Sequence, residues 1–212
     1  MRLLVLTLAL ALTAAAQKKS AQPPPSTLDL SKLEPGLYTL INTSEGQIVA
    51  KLFEKETPLA VQNFIGLARG TKPWADAKRK VVLKPLYANL IFHRVIPDFM
   101  IQTGDPTETS GHDCGFVLPD EIRPDLNFDQ PGRLGVANSG PNTGACQFFI
   151  TDTQTPQLNG KYTIFGQVVE GLAVVKKISH VIRDEKDRPR IPTKLINVTF
   201  LRIAAKADAP KP

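Results

Sequence analysis

The strongest constraint on the fold is the predominance of short strand-like apolar runs in one block of about 170 residues, with no low-complexity break. Residues 38–41 and 47–52 flank a turn at 44–46, which predicts a β-hairpin. Many short strands with only two helical segments favour a closed barrel or a sandwich over a parallel α/β sheet. Further strands are predicted at 90–95, 147–151, 163–169 and 195–203.

Two segments have helical patterns. In the first, Thr57 and Pro58 are predicted as the N-cap and the first helical residue, and Gly70 as the stop. The second helix is predicted at 172–179. The apolar stripe of the first helix follows helical spacing and consists of Val61, Phe64, Ile65 and Ala68.

Composition and charge are those of an ordinary soluble globular protein, with 42% hydrophobic and 22% charged residues. The net charge of +6 permits contact with nucleic acid, but the basic residues are scattered. The densest cluster, residues 78–80, has no interleaved aromatic residues. We therefore interpret it as a solvated loop and expect no nucleic-acid partner.

The N-terminus has the pattern of a signal peptide over residues 1–16. Arg2 gives a basic start, 3–12 is an apolar run broken only by Thr7, and 14–16 are small alanines. The run is too short for a stable bilayer anchor, although a retained hydrophobic tail is the alternative. We expect export to a periplasm, or secretion, with no membrane anchor after cleavage.

The remaining chain divides by composition. Residues 17–34 contain three consecutive prolines and are predicted as a flexible linker, and 204–212 as a disordered tail. The folded domain is then predicted at 35–203.

Several common chemistries have no signature in this sequence. It contains no Gly-rich phosphate loop and no Gly-x-Ser-x-Gly elbow. The carboxylates Asp105, Asp120 and Glu121 could form a set, but we interpret them as solvated. An enzyme with this sequence is expected to use no metal, no other cofactor and no covalent nucleophile. The histidines are far apart and none lies in a metal-ligand motif: His93, His112 and His180.

Three segments carry a resemblance to a known family. They are 92–102 (Phe-His-Arg-Val-Ile-Pro-Asp-Phe-Met-Ile-Gln), 135–143 running into Gln-Phe-Phe-Ile at 147–150, and 158–166. Together they resemble the cyclophilin family of peptidyl-prolyl cis-trans isomerases, over roughly residues 37–203. The resemblance implies a mainly β fold, a closed eight-stranded antiparallel barrel with two capping α-helices and a substrate groove on its outside.

Strand alternation agrees with a groove on one face. The period of two places Phe92, Arg94 and Ile96 on one side of a strand, and likewise Gln147 with Phe149. The resemblance implies groove positions at Arg94, Phe99, Met100, Gln102, Ala137, Asn138, Gln147, Phe149, Leu158 and Tyr162.

The implied reaction is rotation about X-Pro bonds in proline-containing polypeptides, which assists the folding of exported proteins. Amide resonance sets a barrier of about 18–20 kcal/mol, and rotation breaks no bond. Arg94 would donate to the proline nitrogen, and an apolar pocket would hold the ring. A non-catalytic chaperone or scaffold that binds proline segments is the alternative, and an unrelated exported hydrolase is a third. We expect a monomer.

The sequence departs from the family pattern at several positions. Gln157 stands where many eukaryotic members have a Trp that contacts cyclosporin, so weak inhibition is expected. Tyr162 replaces a His, and residues 71–85 form a longer segment than in the smallest members. By the resemblance, Cys114 and Cys146 lie beside the groove, where they are either paired in a disulfide or two free thiols.

Overall fold

The computed structural model describes residues 29–205. The predicted signal segment, residues 17–28 of the predicted linker and residues 206–212 lie outside the described residues. Within 29–205 no helix is long and apolar enough to cross a membrane. The elements are β1 (Gly36–Thr43), β2 (Gly46–Leu52), α1 (Pro58–Arg69), β3 (Trp74–Ala75), β4 (Val81–Val82), β5 (Leu90–Ile91), β6 (Arg94–Ile96), β7 (Met100–Thr103), β8 (Arg133–Val136), β9 (Phe148–Thr151), β10 (Ile164–Glu170), α2 (Leu172–Ser179) and β11 (Lys194–Ile203).

Nine strands form one antiparallel sheet in the order β5-β11-β1-β2-β10-β8-β9-β7-β6. The two strands at its ends, β5 and β6, are separated in sequence only by Phe92 and His93. The sheet therefore curls until its ends meet, which fits a closed barrel. The predicted hairpin is confirmed, because β1 pairs with β2 from Leu37 opposite Leu52 to Thr43 opposite Gly46.

The prediction of one continuous strand at 90–95 is wrong. Leu90 and Ile91 pair with β11, whereas Arg94 begins the pairing with β7. Phe92 and His93 lie between these two pairings, where the chain passes from one strand partner to the other. This interruption gives nine strands in place of the eight that the resemblance implied, although β5 and β6 are two parts of one extended segment.

The main core lies inside the curled sheet and is covered by both helices. Phe64 of α1 packs against Phe148 and Phe165, each with ring centroids 5.2 Å away. From α2, Val175 and Ile178 are fully buried in the same core. Both predicted helices are confirmed, and their apolar stripes explain why they cover the sheet.

The free amides at the N-terminus of α1 are hydrogen-bonded by a residue that the sequence did not indicate. Thr57 holds the N-cap position but makes no side-chain capping bond, because its hydroxyl donates towards the carbonyls of Phe53 and Ile164. The carboxylate of Glu121 instead accepts hydrogen bonds from the amides of Leu59 (3.1 Å) and Ala60 (2.8 Å). Its negative charge also suits the positive end of the helix dipole, so our interpretation of Glu121 as solvated is wrong.

The longer segment at 71–85 forms a small hairpin, β3 paired with β4. The amide of Ala75 donates to the carbonyl of Cys114 at 2.8 Å, and His112 Nε2 donates to the carbonyl of Ala75 at 2.7 Å. Arg79 pairs with Asp113 at 2.6 Å. Hydrogen bonds and an ion pair from the hairpin thus hold the loop around residues 112–115 in place.

Candidate active site

A cavity of about 380 Å³ opens on the face of the sheet opposite to the main core. Nine of the ten groove positions implied by the resemblance line it. The exception is Gln147, which lines an adjoining smaller cavity of about 100 Å³ together with Gln102. The lining residues of the larger cavity, which we call the groove, are Arg94, Phe99, Met100, Gln102, Ser110, Ala137, Asn138, Phe149, Leu158, Tyr162 and Lys186.

Arg94 reaches the groove from β6, where it stands directly opposite Gln102 of β7. Its Nη1 is 3.5 Å from Gln102 Oε1, and its Nε is 3.8 Å from a carboxylate oxygen of Asp187. Gln102 in turn donates to Gln147 Oε1 at 2.8 Å, and Gln147 donates to the carbonyl of His112 at 3.0 Å. This chain of polar contacts places the guanidinium at the groove while 40% of its side chain stays exposed.

The predicted alternation is confirmed for β9 and wrong for one residue near β6. Phe149 faces the groove, whereas Phe148 and Ile150 belong to the main core. Phe92 was predicted to share a face with Arg94, but it is fully buried in the main core. The interruption between β5 and β6 breaks the period of two, because these residues do not belong to one regular strand.

The apolar wall of the groove is a second cluster, separate from the main core. Met100, Phe149 and Leu158 are its buried members that face the cavity. Phe128 stacks on Phe149 with centroids 5.7 Å apart, and Tyr162 meets the same ring edge-on at 5.4 Å. These contacts fix the ring of Phe149 in a single position.

Gly135 makes that position of the ring possible. A Cβ added there would lie 2.3 Å from the ring of Phe149, far inside van der Waals contact. A residue with any side chain at this position of β8 would therefore push Phe149 into the groove.

The turn that carries Phe99 is tied to α2. Asp98 has a left-handed backbone (φ 55°), and its amide donates to the Asp152 carboxylate at 3.1 Å. The same carboxylate oxygen accepts a bond of 2.6 Å from the hydroxyl of Ser179, and the amide of Asp152 donates to the carbonyl of Phe99. Within residues 29–205, the only three acidic or histidine side chains with ligand atoms mutually within 4.8 Å are Asp98, Asp152 and His180, and they lie at this junction.

The polar edge of the groove is fixed by backbone and side-chain hydrogen bonds. The amide of Ala137 donates to the carbonyl of Gln147 at 3.0 Å. Asn138 Nδ2 donates to the carbonyl of Lys161 at 2.9 Å, which holds the 137–138 segment beside Tyr162.

Cys114 and Cys146 form a disulfide in the structure, with their Cα atoms 6.0 Å apart. Cys146 immediately precedes Gln147, so the bond joins the loop at 112–115 to the start of β9. Nearby Asp105 is fully buried and accepts hydrogen bonds from the amides of Thr107 and Thr109. Our interpretation of Asp105 as solvated is therefore wrong, since it organises the same loop.

Two lining residues, Ser110 and Lys186, were missed by the sequence analysis. Both lie in loops whose sequences match no motif and have no strand or helix period. Only the path of the folded chain brings them to the groove.

His93 precedes Arg94 in the chain and is a buried titratable group. It is 3% exposed, and neither ring nitrogen has a hydrogen-bond partner among the described residues. Burial lowers the pKa of His93 to about 4, because the charged form cannot be solvated there.

We expect His93 to make the fold sensitive to acid. Its pKa is lower in the folded state than in the unfolded state, so its stabilising contribution is complete above about pH 6.5 and is lost as the pH falls towards 4. The shift corresponds to about 3 kcal/mol of unfolding free energy. Urea unfolding at pH 7 and pH 4 should show a smaller loss on acidification for His93→Leu than for the wild type. Equal losses in the two proteins would contradict this prediction.

Comparison with known proteins supports the geometry. Residues 38–200 match the family model described as "Cyclophilin type peptidyl-prolyl cis-trans isomerase/CLD". The "Peptidyl-prolyl cis-trans isomerase A" of Mycobacterium tuberculosis is 43% identical over 163 residues, which are 76% of this chain and 90% of that protein. The isomerase ppi1 of Schizosaccharomyces pombe is 43% identical over 164 residues, 76% of this chain and 97% of its own length.

Solved structures agree with these relatives. A Cryptosporidium parvum cyclophilin-type isomerase crystallised in the presence of the dipeptide Ala-Pro matches with a TM-score of 0.69 and 32% identity. The match covers 78% of this chain and 99% of that one. The family match, the relatives and the fold agree: this chain belongs to the cyclophilin family and is a peptidyl-prolyl cis-trans isomerase.

Proposed function

We propose that Arg94 is the catalytic residue and that the groove isomerises X-Pro bonds in proteins exported along with this chain. The observation that carries the catalytic assignment is the position of the Arg94 guanidinium on the wall of the groove that also contains Met100, Phe149 and Leu158. A proline ring held by these apolar side chains brings its nitrogen within reach of a strong, permanently charged donor.

The change in the proline nitrogen during rotation about the X-Pro bond explains why a hydrogen-bond donor is useful beside it. In the planar ground states the nitrogen lone pair is delocalised into the carbonyl, and it becomes available only when the bond is twisted. A hydrogen bond from Arg94 to that nitrogen is therefore stronger in the transition state than in either ground state. Only such a differential interaction lowers the barrier.

Substrate orientation is assigned to the polar residues around Arg94. Gln102, held by Gln147 at 2.8 Å, and the 137–138 segment are positioned to hold the peptide backbone on either side of the rotating bond. A groove that only bound proline segments would not need a guanidinium at the proline nitrogen, so we favour catalysis over a purely binding role.

Two features support an exported location. The pattern of residues 1–16 is that of a cleavable signal, with a basic start, a short apolar run and small residues. Both cysteines of the chain are joined in a disulfide, a bond that persists in oxidising compartments and is rare in the cytosol. We propose a periplasmic protein, monomeric and free of the membrane after cleavage following Ala16.

Fusion to a reporter that is active only after export tests this location. Residues 1–34 placed before alkaline phosphatase should give active enzyme, and N-terminal sequencing of the exported product should begin at Gln17. Residues 17–34 alone are the control and should give no activity. Activity from both fusions, or from neither, would contradict the proposed signal.

A further inference from the structure

The 183–190 loop, which connects α2 to β11, brings a cation to the groove that no motif indicates. Lys186 from this loop lines the cavity. The Asp184 carboxylate accepts hydrogen bonds of 2.9 Å from the amides of Lys186 and Arg188. The carbonyl of Asp187 accepts from the amide of Val95 on β6 at 2.8 Å. The loop is therefore fixed against the strand that carries the catalytic arginine.

The same loop is also fixed by a second contact, which it makes with the 105–112 segment. Arg188 pairs with Glu108 at 2.8 Å, and Glu108 belongs to the 105–112 segment that also supplies Ser110 to the groove. The backbone of Lys186 is thereby held at two flanks, while its side chain stays exposed.

The groove is lined by two cations and no carboxylate. The cations are Arg94 and Lys186. Asp187, which follows Lys186 in the chain, has its charge shared between Arg183 at 3.0 Å and Arg94 at 3.8 Å. Among residues 29–205, the ammonium of Lys186 makes no ion pair within 4.0 Å. Glu185 is exposed and does not line the groove.

We propose that Lys186 is a specificity-determining residue that favours peptides with an Asp or Glu side chain within two residues of the proline. This inference rests on the proposed function of the groove as the site of the proline. An extended peptide in the groove places side chains on both sides of its proline, and one of them meets the ammonium of Lys186. The negative charge that Lys186 recognises is then carried by an Asp or Glu side chain of the bound peptide.

The size of the preference follows from the exposure of the lysine. An ion pair at a solvent-exposed position corresponds to about a twofold to fivefold change in affinity, and salt screens it. Replacing the lysine by a carboxylate should reverse the preference, because like charges at the same separation repel.

The test uses peptides with a single proline that carry Glu, Gln or Lys at one position at a time, chosen from the two residues before the proline and the two after it. For the wild type at low ionic strength, kcat/KM should be about twofold to fivefold higher with Glu than with Gln at one of these positions. The ratio should fall to about 1 in Lys186→Ala, invert in Lys186→Glu, and fall towards 1 in the wild type at high salt.

Lys194→Glu is the matched control, because Lys194 is exposed on β11, lies outside the groove and changes the net charge equally. It should keep the wild-type ratio. A ratio that is the same in Lys186→Glu as in the wild type would overturn the inference, as would the same change in both variants. Peptide affinities measured by fluorescence anisotropy separate the specificity of Lys186 from the proposed catalysis. Binding without isomerisation of any peptide would overturn only the proposed catalysis.

Discussion

Replacing Arg94 by alanine is expected to lower kcat/KM for an Ala-Pro peptide by about a hundredfold to a thousandfold, the usual effect of removing one preorganised donor to a transition state. The loss should appear mainly in kcat, because the apolar wall that holds the proline ring is untouched. Arg94 is 40% exposed and makes only long contacts with Gln102 and Asp187, so its removal leaves no buried charge unpaired.

Three comparisons keep this prediction specific. Arg94→Lys retains a charge but loses the planar fork of donors, so it should recover only part of the activity. Arg190→Ala removes an exposed guanidinium outside the groove and should be as active as the wild type. The urea midpoint of Arg94→Ala should match that of the wild type; a large fall in stability would mean that lost activity reflects unfolding.

Removal of the Cys114–Cys146 disulfide should produce the second large effect, a loss of about 3 to 4 kcal/mol in the free energy of unfolding. The bond spans 32 residues, and the entropy that such a closed loop removes from the unfolded chain corresponds to a value of this size. Urea unfolding of the oxidised protein and of the double variant Cys114→Ala, Cys146→Ala measures it.

Activity below the unfolding transition should also fall in the double variant. Cys146 precedes Gln147, whose side chain supports Gln102, and the loop of Cys114 supplies the carbonyl that Gln147 binds at 3.0 Å. Each single Cys→Ala variant should be as unstable as the double one, since both lack the bond. Urea midpoints that are equal with and without the disulfide would contradict its assigned stabilising role.

Local sequence patterns correctly predicted one hairpin, both helices and the side of β9 that faces the groove. The hairpin of β1 and β2, both helices and the opposite directions of Phe148 and Phe149 follow from periods of two and 3.6 residues, which depend only on neighbouring residues. The groove residues came from the family resemblance, and the cavity brings nearly all of them together.

What the sequence could not predict depends on long-range contacts. Phe92 does not lie on the predicted face because the chain changes strand partners there. The alternation of residues in the sequence does not reveal such a change. Glu121 accepts a hydrogen bond from the N-terminus of α1 although it lies 62 residues away in sequence. Lys186 reaches the groove because its loop is hydrogen-bonded to β6 through Asp187 and paired with Glu108 through Arg188.

The central claim is that the groove catalyses rotation through Arg94. Two-dimensional exchange NMR of an Ala-Pro peptide tests it most directly, because it follows cis-trans exchange at equilibrium without a coupled protease. With a small amount of wild-type protein we expect strong exchange peaks and an unchanged cis:trans ratio, and with Arg94→Ala nearly none. Exchange that is equally fast with both proteins, or bound peptide signals without exchange in the wild type, would contradict the account.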